Sequence, residues 1–205
     1  MSGCGCGSDQ ADKLERKTLL SLLAINAVMF VVELALGIYA QSTGLIADSL
    51  DMFADAAVYA ISLSVVGASI SKQANAARVS GYLQIFLGLL VFVDVGRRIY
   101  FGSEPESTLI MITGIVALAA NVTCLTLISK HRDGGVHMRA SWIFSANDVI
   151  ANLGVIVAGM LVYRTGSYIP DLVIGALISL LVVRGGLRIL KESREVSAKP
   201  ACTGG

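Results

Sequence analysis

Long apolar runs separated by short polar clusters dominate this chain. The runs fall at about 18–39, 45–70, 79–101, 108–129, 139–163 and 170–190. Each is near the roughly 20 residues that a helix needs to cross the hydrocarbon core of a bilayer. Turn-forming clusters mark the breaks: Gln41-Ser42-Thr43-Gly44, Gly102-Ser103-Glu104-Pro105, Asp133-Gly134-Gly135, and Thr165-Gly166-Ser167 ahead of Pro170. The pattern predicts an all-α integral membrane protein with six transmembrane helices. The first run is long for a signal core, contains Glu33, and reaches Tyr39-Ala40-Gln41 without a small-x-small cleavage site, so it counts as a span.

Basic residues set the expected orientation. Lys13, Arg16 and Lys17 precede the first run, and Lys72 and Arg78 follow the second. Lys130, Arg132 and Arg139 follow the fourth, and Arg188, Lys191, Arg194 and Lys199 follow the sixth. All four groups lie on one side, which places both termini in the cytoplasm. The expected organisation is a Cys-containing cytoplasmic tail at 1–17, a six-span domain at 18–190 and a short cytoplasmic tail at 191–205. The setting is a multi-pass cell membrane, such as a bacterial inner membrane.

Composition agrees: of 205 residues, 55% are hydrophobic and 15% charged, which leaves no room for a sizeable soluble domain. The net charge of +1 gives no sign of nucleic-acid binding, since topology accounts for the basic residues. The four cysteines, Cys4, Cys6, Cys124 and Cys202, do not form a disulfide framework.

Against that background the buried acids stand out: Glu33, Asp48, Asp51, Asp55 and Asp148, with Asp94 nearer a boundary. A charged Asp at a helix centre costs roughly 2.5–3.5 kcal/mol on insertion scales. Basic residues are scarce at that depth, because Arg97, Arg98, Arg184 and Arg188 lie towards helix ends where they are expected to snorkel. Cations or protons must therefore neutralise the acids. Asp51 and Asp55 share one helical face at i, i+4, with Asp48 three residues earlier. At 1.5 Å per residue, Asp51 and Asp55 lie roughly 9–16 Å from one end of the second span, and Asp148 about as far from the opposite end of the fifth. The three acids are thus expected to meet near the midplane.

Carboxylates brought together repel when ionised, and a divalent ion or protons relieve that repulsion. Metal and protons compete for such a site, which is the physical basis of antiport. Asp48 and Glu33 are expected to act as a proton relay or access path, although a lone intramembrane acid also serves simply to hydrogen-bond a neighbouring helix. Asn147 and Asn152 are candidates to complete a coordination shell.

The motif Ala47-Asp48-Ser49-Leu50-Asp51-Met52-Phe53-Ala54-Asp55, together with Asn147-Asp148 and the Gly154-Val155-Ile156 stretch, resembles the cation diffusion facilitator family. These are divalent metal/proton antiporters. Glu33-x-x-x-Gly37, Pro170-Asp171 and Arg184-Gly-Gly-Leu-Arg188 also resemble family landmarks. The resemblance implies efflux of a divalent cation exchanged for protons by alternating access, with Asp51, Asp55 and Asp148 as ligands. Zn²⁺ is the expected substrate, with Cd²⁺, Mn²⁺, Fe²⁺, Co²⁺ and Ni²⁺ open, and no resident cofactor or enzymatic activity is expected.

Two departures from the family pattern follow. Phe144 stands where the family usually has a histidine, so a fourth ligand must come from elsewhere, with Asn152, Asn147 or a water as the candidates. Only about 15 residues follow the last span, so the chain reads as a short form without the family's cytoplasmic domain. Cys4 and Cys6, with His131 and His137, are expected to capture metal on the cytoplasmic side. A homodimer through membrane helices is expected, with Gly81, Gly88 and Gly96 as its contact face. Two alternatives from other classes are a Mg²⁺-dependent phosphatidyltransferase-like enzyme and a proton-coupled organic-cation exporter. The first lacks the Gly and Arg of its motif, since Met52 follows Asp51. The second normally wants aromatic walls, and aromatics are only 6%.

Overall fold

The computed structural model describes residues 5–64, 70–129 and 136–198, which form six helices with no strand among them. In chain order they are α1 (Gly5–Tyr39), α2 (Thr43–Ser64), α3 (Ile70–Phe101), α4 (Ser107–Ser129), α5 (Val136–Thr165) and α6 (Ile169–Ala198). α1 starts well before the first apolar run, so much of the expected tail continues that helix. Ile70, expected to close the second span, opens α3 instead.

Five helices contain stretches long and apolar enough to cross a membrane: Arg16–Tyr39, Ala77–Phe101, Ser107–Ser129, Ser145–Thr165 and Ile169–Lys191. α2 is set apart by its three aspartates, and its position explains how they are tolerated. It touches each of the other five helices, so its acids face protein rather than lipid. The other main pairings are α3 with α6 and α4 with α5.

Polarity is inverted relative to a water-soluble bundle. Val28, Val31, Ile38, Val93, Ile112 and Tyr163 are exposed on the outside, whereas Asn26, Glu33, Asp48, Asn121 and Asn152 are buried. Exposed apolar side chains that would promote aggregation in water are suited to lipid. The chain is a multi-pass membrane protein.

Three tight turns gather the finish of α1, α3 and α5 and the start of α2, α4 and α6 at one end. They use Gln41 (φ 50°), Gly102 (φ 80°) and Gly166 (φ 65°) in the left-handed region. Here α2 is anchored by side chains that are distant in sequence. Ser42 caps it by accepting the Leu45 N–H at 3.1 Å. Asp171, near the start of α6, accepts the Ser42 hydroxyl at 2.5 Å and the N–H groups of Thr43 and Gly44 at 2.5 and 3.1 Å. The free donors of the first turn of α2 are thereby all satisfied. Gly175 allows this approach, because a Cβ there would meet Thr43 backbone atoms at 2.9 Å.

Arg98 ties the same end to α3. It does not snorkel outward but is 4% exposed, pairs with Asp94 at 2.6 Å, and donates to the Gln41 carbonyl and to Ser103 Oγ at 2.7 Å. Asp94, also held by Arg97 at 2.7 Å, is accordingly a structural acid.

Two of the three glycines expected at a dimer face, Gly81 and Gly88, are taken up by packing within the chain. A Cβ on Gly81 would meet the Gly186 carbonyl at 2.9 Å, and one on Gly88 would meet Val183 at 2.5 Å. Both are consumed by packing on α6 within the chain, where Ser179 Oγ also donates to the Gly88 carbonyl at 2.6 Å. Gly96 alone faces open space.

Candidate metal-binding site

The i, i+3, i+7 spacing of Asp48, Asp51 and Asp55 makes one stripe along α2, and the packing of other helices divides that stripe in two. Asp51 and Asp55 turn to a cavity of about 180 Å³ between α2, α3, α5 and α6, whose wall also carries Asp148 and Asn147. Asp55 and Asp148 are in hydrogen-bonding contact, and Asp51 lies in the field of both. Asp48, only 1% exposed, lies outside that lining and contacts Glu33 of α1, which is fully buried.

The pocket lining runs along α6 from Ile178 to Arg188, towards the end where α6 finishes and α1 begins. The opposite end carries the Asp171 clamp. Arg184 and Arg188 are expected from the sequence to snorkel at a helix end, yet both line this pocket.

Gln84 of α3 was not among the candidates. It is 4% exposed, lines the pocket, and its Oε1 has no hydrogen-bond partner, so it offers a neutral oxygen beside the acids. Its signal in the sequence was a lone amide inside an apolar run. Tyr59 and Cys124, both buried, lie in the field of Asp55 and Asp148.

The two asparagines separate. Asn147 is exposed to the pocket, whereas Asn152 is fully buried outside its lining and donates Nδ2 to the Asp148 carbonyl at 2.9 Å, leaving Oδ1 unpartnered. Cys4 and His131 lie outside the described residues. Cys6 falls on α1 and His137 on α5, where the side chains are outside the description, as is that of Phe144. Among the described residues, no three His, Cys, Asp or Glu side chains converge closely enough to hold a metal ion as they stand. The Asp55–Asp148 pair is the nucleus around which ligands would have to close.

A pair of carboxyl groups, Asp55 buried and Asp148 half-buried, lining a pocket between membrane helices defines a cation-handling membrane protein. The model of the cation efflux transmembrane domain matches residues 19–196, and the chain belongs to that family. It is 26% identical over 191 residues to the zinc transporter ZitB of Yersinia pseudotuberculosis, covering 86% of this chain and 61% of that protein. It is 23% identical over 192 residues to a cadmium, cobalt and zinc/H(+)-K(+) antiporter of Bacillus velezensis, covering 87% and 61%. With the human proton-coupled zinc antiporter SLC30A8 it shares 23% over 220 residues, covering 94% and 60%. The chain thus spans about 61% of the length of the two bacterial relatives and 60% of the human one. These relatives are transporters, not enzymes.

Proposed function

We propose that the chain exports a divalent metal ion, Zn²⁺ foremost, in exchange for protons, by alternating access to the pocket between α2 and α5. The contact of Asp55 with Asp148 carries this reading. Two acids from different helices, touching within a membrane protein, repel one another unless a proton or a cation lies between them. A divalent ion bound by Asp51, Asp55 and Asp148 neutralises the group and draws α2 and α5 together. Protonation does the same job without the metal, so each expels the other.

Gln84 Oε1 and Asn147 are the neutral oxygens best placed to complete the shell. An oxygen-dominated set still suits Zn²⁺, which accepts carboxylates readily. In this reading the termini are cytoplasmic and the pocket opens to the cytoplasm. Pairing of two copies, if it occurs through membrane helices, uses surfaces other than the Gly81–Gly88 seam.

The test is Zn²⁺ uptake into vesicles containing the purified protein, with an imposed proton gradient. Asp51→Asn and Asp148→Asn are expected to lower uptake by at least about tenfold, equivalent to about 1.4 kcal/mol. Unchanged uptake in either variant refutes the site.

A further inference from the structure

The pocket leaves Glu33 and Asp48 unexplained. Their side chains are 0% and 1% exposed, and they touch each other across the α1–α2 interface. Both Glu33 oxygens and Asp48 Oδ2 are without a hydrogen-bond donor. Neither acid lines the cavity that holds Asp51, Asp55 and Asp148.

Packing explains the separation. Met29 of α1, Met52 of α2 and Ala117 of α4 form one buried apolar layer. Stepping one turn towards the Asp171 clamp leads to Glu33 on α1, Asp48 on α2 and Thr113 on α4, because α1 runs antiparallel to the other two. Thr113 is 2% exposed and its hydroxyl also has no partner. Three helices therefore contribute unpartnered buried oxygens to one layer, which lies outside the lining of the metal pocket.

We propose that Glu33, Asp48 and Thr113 form a second cation site, which holds a single proton shared between the two carboxyl groups and releases it when metal enters the pocket. The inference rests on the proposed metal/proton exchange and locates the exchanged proton. With one proton between them the pair carries one negative charge instead of two, and carboxyls already in contact need only a proton to hold them. Thr113 supplies a hydroxyl to the remaining charge.

The surrounding charges fit this role. α1 packs on α2 and α4. From α2, Asp48 and Asp51 face Glu33. α4 has no charged residue between Ser107 and Ser129, and its titratable Cys124 lies in the field of Asp55 and Asp148 instead. On the rest of α2's neighbours, Asp148 of α5 lies in the field of Asp48, Asp94 is paired with arginines and Asp171 is occupied by its clamp. Asp51 and Asp148 are thus the electrostatic links: a divalent ion beside them reverses the local field and favours departure of the proton.

The test uses the full chain in lipid, comparing wild type with Glu33→Gln, with Asp48→Asn as a second variant should the first be unstable. Protons released per Zn²⁺ bound are measured calorimetrically in buffers of different protonation enthalpy, and infrared spectra of the metal-free proteins report protonated carboxyl groups. The expected result for Glu33→Gln is Zn²⁺ affinity within about threefold of wild type, proton release reduced by about one per metal, and a change in the protonated-carboxyl band. Unchanged proton release, an unchanged band, or a Zn²⁺ affinity lower by about tenfold or more overturns the proposal. A wild type that binds no Zn²⁺ refutes the transport reading, and the infrared comparison then decides the pair by itself.

Discussion

Asp55 and Asp148 sit where chemistry and cost meet. Each is far too expensive to keep charged and alone within a membrane, and each interacts with the other. Gln84 differs in kind: its Oε1 is free and neutral, so it gains a partner only when something electropositive arrives. Gln84→Ala is therefore expected to weaken Zn²⁺ binding by roughly three- to tenfold, about 1 kcal/mol, with little effect on thermal stability. Binding isotherms and melting curves on the same samples check both halves of this statement. The acid pattern Asp48, Asp51, Asp55 and the distant Asp148 is readable in the sequence, because charges inside apolar runs are conspicuous. Gln84 is not so readable: an amide in an apolar run commonly knits helices, and only its place on the pocket wall distinguishes it.

At the scale of the helix, α2 depends on its neighbours at both levels. Its carboxylates need the other five helices around them, and its first turn needs Asp171. Replacing Asp171 by Ala strands the Ser42 hydroxyl and the Thr43 and Gly44 N–H groups in a buried place, at a cost of about 1–3 kcal/mol. A lowered melting temperature in detergent is the expected outcome. Gly175→Leu is expected to do at least as much harm, since even a Cβ there lies 2.9 Å from the Thr43 backbone. The sequence offers Pro170-Asp171 as an ordinary helix start. That this aspartate serves a different helix, 128 residues from Thr43, follows only from the pairing of α2 with α6.

For the whole molecule the asymmetry between the two ends matters most. One end is tied together by Asp171, Ser42 and Arg98, and the pocket lining leads to the other along α6. Cysteine placed at Leu181, on the pocket wall, in a background free of native cysteines is expected to react with an impermeant maleimide from the side that carries the start of α1. Labelling from the opposite side contradicts the orientation. Because protons and metal compete for the same carboxylates, Zn²⁺ affinity is expected to fall as pH is lowered and to recover as it is raised. Isotherms across a pH series check the sign.

Helix number, all-α class and the acids inside the apolar runs were determined by the sequence alone, because spacing and hydropathy act locally along a chain; the burial of Asp171 was not. Tertiary structure decided which acids face one another. A helix stripe has no knowledge of its neighbours, and it took α1 on one side and α5 with α6 on the other to divide Asp48 from Asp51 and Asp55. The same packing assigned Gly81 and Gly88 of α3 to α6 rather than to a second copy, since close approach depends on what lies opposite and not on the glycine itself.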